Sequence, residues 1–477
     1  MKNKNFSKII NIISGSLFIT FTVISLILVA LVISLGVLPG KYLAIGLIIG
    51  FLLYSGLAYL TFVRKNNILK TFLSLLCVGL IVLCLFVFEY LNSTLHFMDK
   101  IKATNYQTEN YYVLVESDSK YNTIEDISII GFYNTPLSKY EDALNKLAKT
   151  VNLLKLDYSS YTNLIDALES KEVDAILISS ANKDVITELV DDFEDKTKII
   201  YTMEIKTENN IETTDINVTQ EAFNIYVSGI DIYGKINSVS RSDVNMIITV
   251  NPKTNQVLLT SIPRDYYVQL HGTSGSKDKL THAGLYGIDM SINTIEDLLD
   301  IEIDYYVRVN FTTLVSLVDA IGGIEVYSDT AVTAWTDRSC HFPVGNVKLN
   351  GKCALAYSRE RYGYRDGDRH RVRNQQDVIK AILKKALSSK TLITRYTQIL
   401  ESMSSSFQTN MPSDKIYDLI NNQLNTMPNW DFYSYSLNGS DSSNVTYSFG
   451  SQILYVMEPN ISTVNIAKEK INSLMKD

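Results

Sequence analysis

The sequence predicts a membrane-anchored α/β protein. Three observations predict it: long uncharged runs at the N-terminus, an alternation of strand and helix patterns after them, and a later set of three apolar strands separated by turn residues. Charge is absent from Ile9 to Gly40, from Tyr42 to Val63 and from Thr71 to Phe88. Each run approaches or exceeds the ~20 apolar residues that cross ~30 Å of hydrocarbon. Pro39-Gly40 separates the first two, and Arg64-Lys65-Asn66-Asn67 with Lys70 separates the second pair. A cleaved signal peptide is a poor description, because the first run is too long and two more follow. Lys2, Lys4 and Lys8 precede the first span, and Arg64, Lys65 and Lys70 sit between the second and third, whereas the first connection holds only Lys41. The positive-inside rule then puts the N-terminus in the cytoplasm and everything after about Tyr90 outside a multi-pass cell-membrane anchor, residues 1–92.

The next unit, residues 107–205, reads as a small α/β accessory domain. Its pattern gives strands at Tyr112–Val115 and Ile127–Gly131, helices around Tyr140–Leu153 and Tyr161–Ser170, a buried strand from Val173, a last helix, and a strand at Ile199–Met203. The stretch from Leu164 to Ile176 resembles half of an extracellular solute-binding protein. That pattern is common to βαβ units, so a spacer or docking role is expected ahead of ligand sensing. A polar stretch without apolar periodicity, 206–220, reads as a linker.

The third unit, 221–477, is expected to carry the chemistry. Phe223–Ser228 reads as a strand ending at Gly229-Ile230-Asp231, Val244–Val250 as a strand opened by Asp243, and Val257–Ile262 as a strand ending at Pro263-Arg264-Asp265. Joined as a meander, these strands bring Asp231, Asp243 and Arg264 to one sheet edge. Gly351–Ser358 reads as a short strand running into Arg359 and Arg361, with Glu360 on the opposite face. A helix over Asp368–Ser388 has its apolar stripe at Val378, Ile379, Ile382, Leu383 and Ala386. Phase places Arg371 and Gln375 on that stripe, and gives Arg373 a face shared with Asp377.

Six of the twelve arginines fall between Arg359 and Arg373, in a chain of formal net charge −7. Planar guanidinium groups suit phosphate and carboxylate oxygens, so the cluster points to a multiply charged anion. Two carboxylates among the arginines would oppose that anion unless a hard cation lay between them, which suggests diphosphate with Mg²⁺. The plainer alternatives are a turn cap for Asp231 and an ion pair with Arg241 for Asp243. Lys279 on its own reads as a loop charge. No HExxH, GxSxG or P-loop spacing is present. Direct nucleic-acid binding has no support, since there is no helix-turn-helix and little cytoplasmic chain. Cys77 and Cys84 lie in the third span. Cys340 and Cys353, the only other cysteines, read as a disulfide in an oxidising compartment. Tyr362 and Tyr364 flank the arginines, where aromatic faces could stack on sugars.

Gly229-Ile230-Asp231, Arg241-Ser242-Asp243, Ile262-Pro263-Arg264-Asp265, Lys279–Gly287, Ala320–Val326, Arg359-Glu360-Arg361 and Arg371–Gln376 occur in order. Together they resemble the LytR-CpsA-Psr family, in particular its capsule-associated CpsA type from streptococcus-like bacteria. The resemblance implies an α/β/α sandwich with a mixed sheet and an apolar groove for a polyprenyl tail. It implies a phosphotransferase that attaches capsular polysaccharide from a polyprenyl-diphosphate carrier to peptidoglycan. Partners would be that lipid-linked glycan, peptidoglycan, the membrane and other membrane proteins of capsule synthesis. By position, Asp231 and Asp243 look like ligands of Mg²⁺ or Mn²⁺, and Asp231 and Arg264 like catalytic groups. Arg241, Lys279, Arg359, Arg361, Arg371 and Gln375 look like a diphosphate clamp. Asn374 departs from the family, many members having arginine there. A lipid-diphosphate phosphatase, or a regulator or sensor of capsule synthesis, are the alternative roles.

Overall fold

The structure is a computed structural model, and it describes residues 2–35, 40–64, 66–102, 106–134, 139–208, 214–230, 236–388, 391, 395, 398–399, 401–402 and 407–476. The chain divides into two compact units, the first made of Met1–Asp99, Leu392–Glu401 and Pro412–Pro428. In that unit α1 (Lys2–Leu35), α2 (Gly40–Phe62) and α3 (Asn67–Lys102) each contain a stretch long and apolar enough to cross a membrane: Ser7–Ser34, Gly40–Phe62 and Asn67–Glu89. The helices meet through Phe18, Leu57, Leu73 and Cys77. Lys70 is buried beside them and donates to Asn11 Oδ1 at 2.7 Å.

The second unit begins with a five-stranded sheet of β1 (Tyr106–Glu116), β2 (Ile129–Tyr133), β3 (Leu154–Tyr158), β4 (Ala175–Ser179) and β5 (Thr197–Glu208), in the order β3-β2-β4-β1-β5. Helices α4 (Tyr140–Leu147), α5 (Tyr161–Glu169), α6 (Ser180–Leu189) and α7 (Phe193–Lys196) complete this accessory lobe. Two expectations fail here. The helix expected to reach Leu153 ends at Leu147, and β3 follows it. β3 is an edge strand paired only with β2, and its exposed Leu154 and Lys155 hide the apolar alternation that marks a strand. The lobe is also less separate than a spacer would be. Tyr161, Leu164 and Ile186 share one core with Leu285, Phe449 and Leu454 of the following lobe, and Thr108 exchanges backbone hydrogen bonds with Asn237 and Val239.

The second lobe is built on β6 (Phe223–Ile230), β7 (Ser242–Asn251) and β8 (Gln256–Ile262), which form the expected antiparallel meander. The strands and helices that follow are β9 (Tyr267–Val268), β10 (Asp278–Lys279), α8 (Leu280–Ala283), α9 (Ile288–Leu299), β11 (Tyr305–Val309), α10 (Phe311–Ala320), β12 (Ile324–Ser328), β13 (Val332–Thr333), β14 (His341–Phe342), β15 (Gly345–Leu349), α11 (Gly351–Arg359), α12 (Asp368–Ala386), β16 (Phe407–Thr409), β17 (Asp431–Ser436), β18 (Gly439–Thr446), β19 (Gly450–Pro459) and α13 (Ile461–Lys476). The main sheet has six strands in the order β16-β11-β6-β7-β8-β17, with β11 parallel to β6 and β17 parallel to β8. Strand alternation sends Tyr226, Ile247 and Leu258 to a core with α9 and α13, through Ile292, Ile295, Val464 and Ile471. It sends Val227, Met246 and Leu259 to the opposite face, against Ile379 and Leu383 of α12. The result is an α/β/α sandwich with a mixed sheet.

Gly351–Ser358 is a helix, not the strand expected from sequence. Asn350 caps it, its side chain accepting from the Cys353 N–H, and Ala and Leu fill its interior. Gly351 lets this helix approach α10: a Cβ there would lie 2.2 Å from the Val315 carbonyl oxygen.

Candidate functional site

A cavity of about 600 Å³ lies between the α12 face of the sheet and the helices α10, α11 and α12. Its apolar wall comes from Val227, Val244, Val309, Phe311, Leu314, Leu355, Val378 and Ile379. The same cavity is lined by Arg241, Asp243, Arg264, Arg359, Arg361, Arg371 and Gln375. The meander explains how residues distant in sequence meet. β7 starts where Asp243 stands and β8 ends just before Arg264, so an antiparallel pair places them side by side. Arg264 Nη1 lies 3.0 Å from Asp243 Oδ2. Thr281 donates to Asp243 Oδ1 at 3.1 Å.

Burial raises the Asp243 pKa, but Arg264, Arg241 and Arg371 outweigh it, and the net shift is downward. For Arg264, burial lowers the pKa and the Asp243 and Asp265 carboxylates reverse that, so it is raised. Arg371 is the opposite case: burial, then repulsion from Arg264, leave its pKa lowered despite an ion pair with Asp368 at 2.7 Å. Arg371 Nε is buried without a hydrogen-bond partner among the described residues, while Arg264 Nε faces the Asp265 carboxylate at 3.5 Å. Five guanidinium groups lining one cavity, with Asp243 the one carboxylate among the described lining residues, suit an added anion.

Arg359 and Arg361 both reach the cavity, though not as alternate residues of a strand. Arg359 ends α11 and stacks 4.3 Å over the Phe311 ring, while Arg361 stacks 4.7 Å over Tyr362. Glu360 turns away between them and is 1% exposed. The helical phase read for α12 holds, with Arg371 and Gln375 facing the cavity. Arg373 is on the surface, but pairs with Asp366 at 2.5 Å rather than with Asp377. Arg365 is exposed, and Arg369 donates to the Gly439 carbonyl at 3.1 Å. Asn374 is buried, donates to the Tyr357 carbonyl at 3.1 Å and does not line the cavity.

Lys279 is not part of the cavity lining. It pairs with Asp265 at 3.1 Å, and Asp265 in turn lies 3.5 Å from Arg264 Nε. Asp231 lies outside the described residues. The Cys340–Cys353 disulfide is present and joins the loop after β14's partner strand to α11, closing thirteen residues of chain. Sequence reasoning missed Phe311, Thr281 and Trp335. Trp335, one of only two tryptophans in the chain, carried a signal in its rarity alone.

The LytR_cpsA_psr family model matches residues 186–462. A polyisoprenyl-teichoic acid–peptidoglycan teichoic acid transferase, TagU, of Bacillus mycoides is 37% identical over 225 residues, which cover 47% of this chain and 71% of the relative. The protein of the same name from Enterococcus faecalis is 36% identical over 198 residues, covering 41% of this chain and 63% of the relative. Among solved structures, TagV of B. subtilis matches with a TM-score of 0.45 and 28% identity, over 54% of this chain and 98% of that one. The match to the family model spans more than half of the sequence: the chain belongs to the LytR-CpsA-Psr family.

Proposed function

We propose that the chain is a phosphotransferase that moves capsular polysaccharide from a polyprenyl-diphosphate carrier to peptidoglycan at the outer face of the cell membrane. One observation carries this reading: a single cavity joins an apolar wall to five arginines and a carboxylate. A polyprenyl diphosphate has that same sequence of chemistry. The cavity volume lies in the range that buries a ligand of moderate size, so it would take the tail segment next to the diphosphate. The relatives named above are transferases of a polyisoprenyl-linked glycopolymer to peptidoglycan, which supports the same class of donor and acceptor.

In the proposed reaction an acceptor hydroxyl attacks the phosphorus that carries the glycan. The bond from that phosphorus to the bridging oxygen breaks, polyprenyl monophosphate leaves, and the glycan stays on the acceptor through a phosphodiester. Catalysis is then mainly positioning and charge neutralisation. Arg264, Arg371, Arg359 and Arg361 line the same space and would meet the diphosphate oxygens there. Lys279 acts at one remove, through Asp265, on Arg264.

Asp243 is the carboxylate that lines the cavity among the described residues, and each of its oxygens retains a lone pair beyond the bonds to Arg264 and Thr281. That fits Mg²⁺ or Mn²⁺, which commonly takes one or two carboxylates with substrate phosphates and water. When bound, such a cation would supply further neutralisation of the leaving phosphate. The lowered pKa of Asp243 suits it to holding charge rather than taking a proton. Asp231 is the proposed base for the acceptor hydroxyl.

The test is transfer by the purified full chain from a polyprenyl-diphosphate glycan to peptidoglycan, with covalent attachment and polyprenyl monophosphate both measured. Phosphate released at the same rate without acceptor would instead identify a phosphatase. Single-turnover transfer left intact in Asp231→Asn at saturating Mg²⁺ would remove Asp231 from the base role.

A further inference from the structure

The cavity has an exposed rim as well as a buried wall, and the rim carries an aromatic pair. Trp335 and Tyr362 both line the cavity, yet are 59% and 64% exposed. Their ring centroids are 5.5 Å apart, with the planes tilted by 52°. Each ring has a guanidinium on it: Arg338 lies 4.5 Å over Trp335, and Arg361 lies 4.7 Å over Tyr362 while donating to its hydroxyl at 2.6 Å.

These exposed rings sit on a fixed base. The buried Glu360 carboxylate accepts the backbone N–H of Trp335 through one oxygen and that of Gly363 through the other, so a single side chain ties both ring-bearing loops together. Gly363 packs so tightly that a Cβ there would come within 2.4 Å of Val332. On its other side, Ala334 donates to the Cys340 carbonyl at 3.0 Å, and Cys340 is bonded to Cys353 of α11. Exposed aromatic surface held this firmly is built to meet something.

The order of chemistry along the cavity says what. Val227, Leu355 and Val378 are buried. Arg359 stacks on Phe311 of the apolar wall and Arg361 stacks on Tyr362 of the rim, so these two arginines link the apolar residues to the aromatic pair. A donor running from tail to diphosphate to sugar would meet these surfaces in that order. We infer that Trp335 and Tyr362 form a pyranose-binding subsite for the first sugar of the carrier-linked donor. This rests on the donor assigned under the proposed function. The C–H face of the sugar stacks on the rings, and Arg338 supplies donors to its hydroxyls.

The test uses the full chain in lipid nanodiscs with two probes, a polyprenyl diphosphate bearing one N-acetylhexosamine and the same lipid diphosphate without sugar. Trp335→Leu and Tyr362→Leu are each expected to bind the sugar-bearing probe about three- to tenfold more weakly, the range for one aromatic stacking contact. The sugar-free probe should bind unchanged, and Trp335→Phe should retain most of the affinity. Equal weakening of both probes would overturn the subsite, because it would mark a structural role. So would wild-type affinity for both probes in the variants. Loss confined to a soluble peptidoglycan fragment would move the subsite to the acceptor and overturn the donor assignment. Failure of the wild-type chain to bind even the sugar-free lipid would sink the proposed function itself, a separate result from any difference between the variants.

Discussion

The two faces of the catalytic sheet are fed by the same strands, yet one is filled and the other is left open. Toward α9 and α13, Tyr226, Ile247 and Leu258 are buried against Ile292, Ile295 and Ile471. Toward α12, Val227 and Val244 border a cavity of about 600 Å³. The strands alternate evenly, so the difference comes from the covering helices. α9 brings apolar residues from its first turn, at Ile288 and Ile292. α12 presents Arg371 and Gln375 to the cavity over its first two turns, and its apolar stripe toward the sheet begins at Val378. Guanidinium groups that repel each other do not close down on a valine surface, and space is left beneath them. A cavity is made here by withholding packing at one end of one helix.

Substitutions on the two faces should therefore fail differently. Ile295→Ala, on the filled face and fully buried, is expected to cost about 2–5 kcal/mol of stability in denaturant unfolding, while the folded fraction keeps wild-type affinity for the lipid diphosphate. Arg371→Gln, on the open face, should lower the transfer rate by about 10²–10³-fold, as removal of one preorganised donor does. Its thermal midpoint should hold or rise, because repulsion from Arg264 and a burial penalty are both relieved. A fall in midpoint matching that of Ile295→Ala would erase the distinction between the faces.

A titration sharpens the same contrast. Asp243 is kept ionised by its arginines, so its contribution to stability is present above the ordinary carboxylate range and is lost only as pH falls below that range. Glu109, buried in the accessory lobe beside Tyr111, behaves oppositely: burial pushes its pKa up to about 7. The folded state then holds a proton that the unfolded chain releases near pH 4.5. Stability should fall as pH rises from about 4.5 to about 7, by roughly 3 kcal/mol, and level off above that. Unfolding midpoints of Glu109→Gln across this window should be flat where the wild type declines. The smallest effect is expected from filling the open face. Leu314→Trp should weaken binding of a tailed diphosphate by about tenfold, close to the transfer energy of one or two methylenes, and leave a tail-free diphosphate unaffected. Isothermal titration with both ligands would separate the two.

Much of this arrangement was legible in the sequence. The meander could be read because β6, β7 and β8 are apolar strands broken by obvious turns, and their ends fix where Asp243 and Arg264 meet. The phase of α12 could be read because Val378, Ile379, Ile382 and Leu383 repeat at helical spacing. Gly351–Ser358 was misread because Ala-Leu-Ala-Tyr alternates no more clearly than it repeats by three or four; the Asn350 cap was the better signal. β3 was missed because one of its edges has no partner strand and its side chains are mostly exposed. The Trp335–Tyr362 contact had no local signature, since it depends on Glu360 bridging two loops. Arg373 pairs with Asp366 because the turn before α12 folds Asp366 back onto the helix.

The parallel pairing of β17 with β8 has a consequence for the making of the protein. Gln256 is matched with Asp431, so the strand that ends at Ile262, just before Arg264, receives its outer neighbour from near the far end of the chain. Until that part is available, Val257 and Leu259 belong to an unprotected sheet edge, which another chain could join as readily as β17 does. Contacts across so long a loop also form slowly. The interval between synthesis of β8 and docking of β17 is thus the period in which this chain is most open to aggregation, and assistance from a chaperone would count most there.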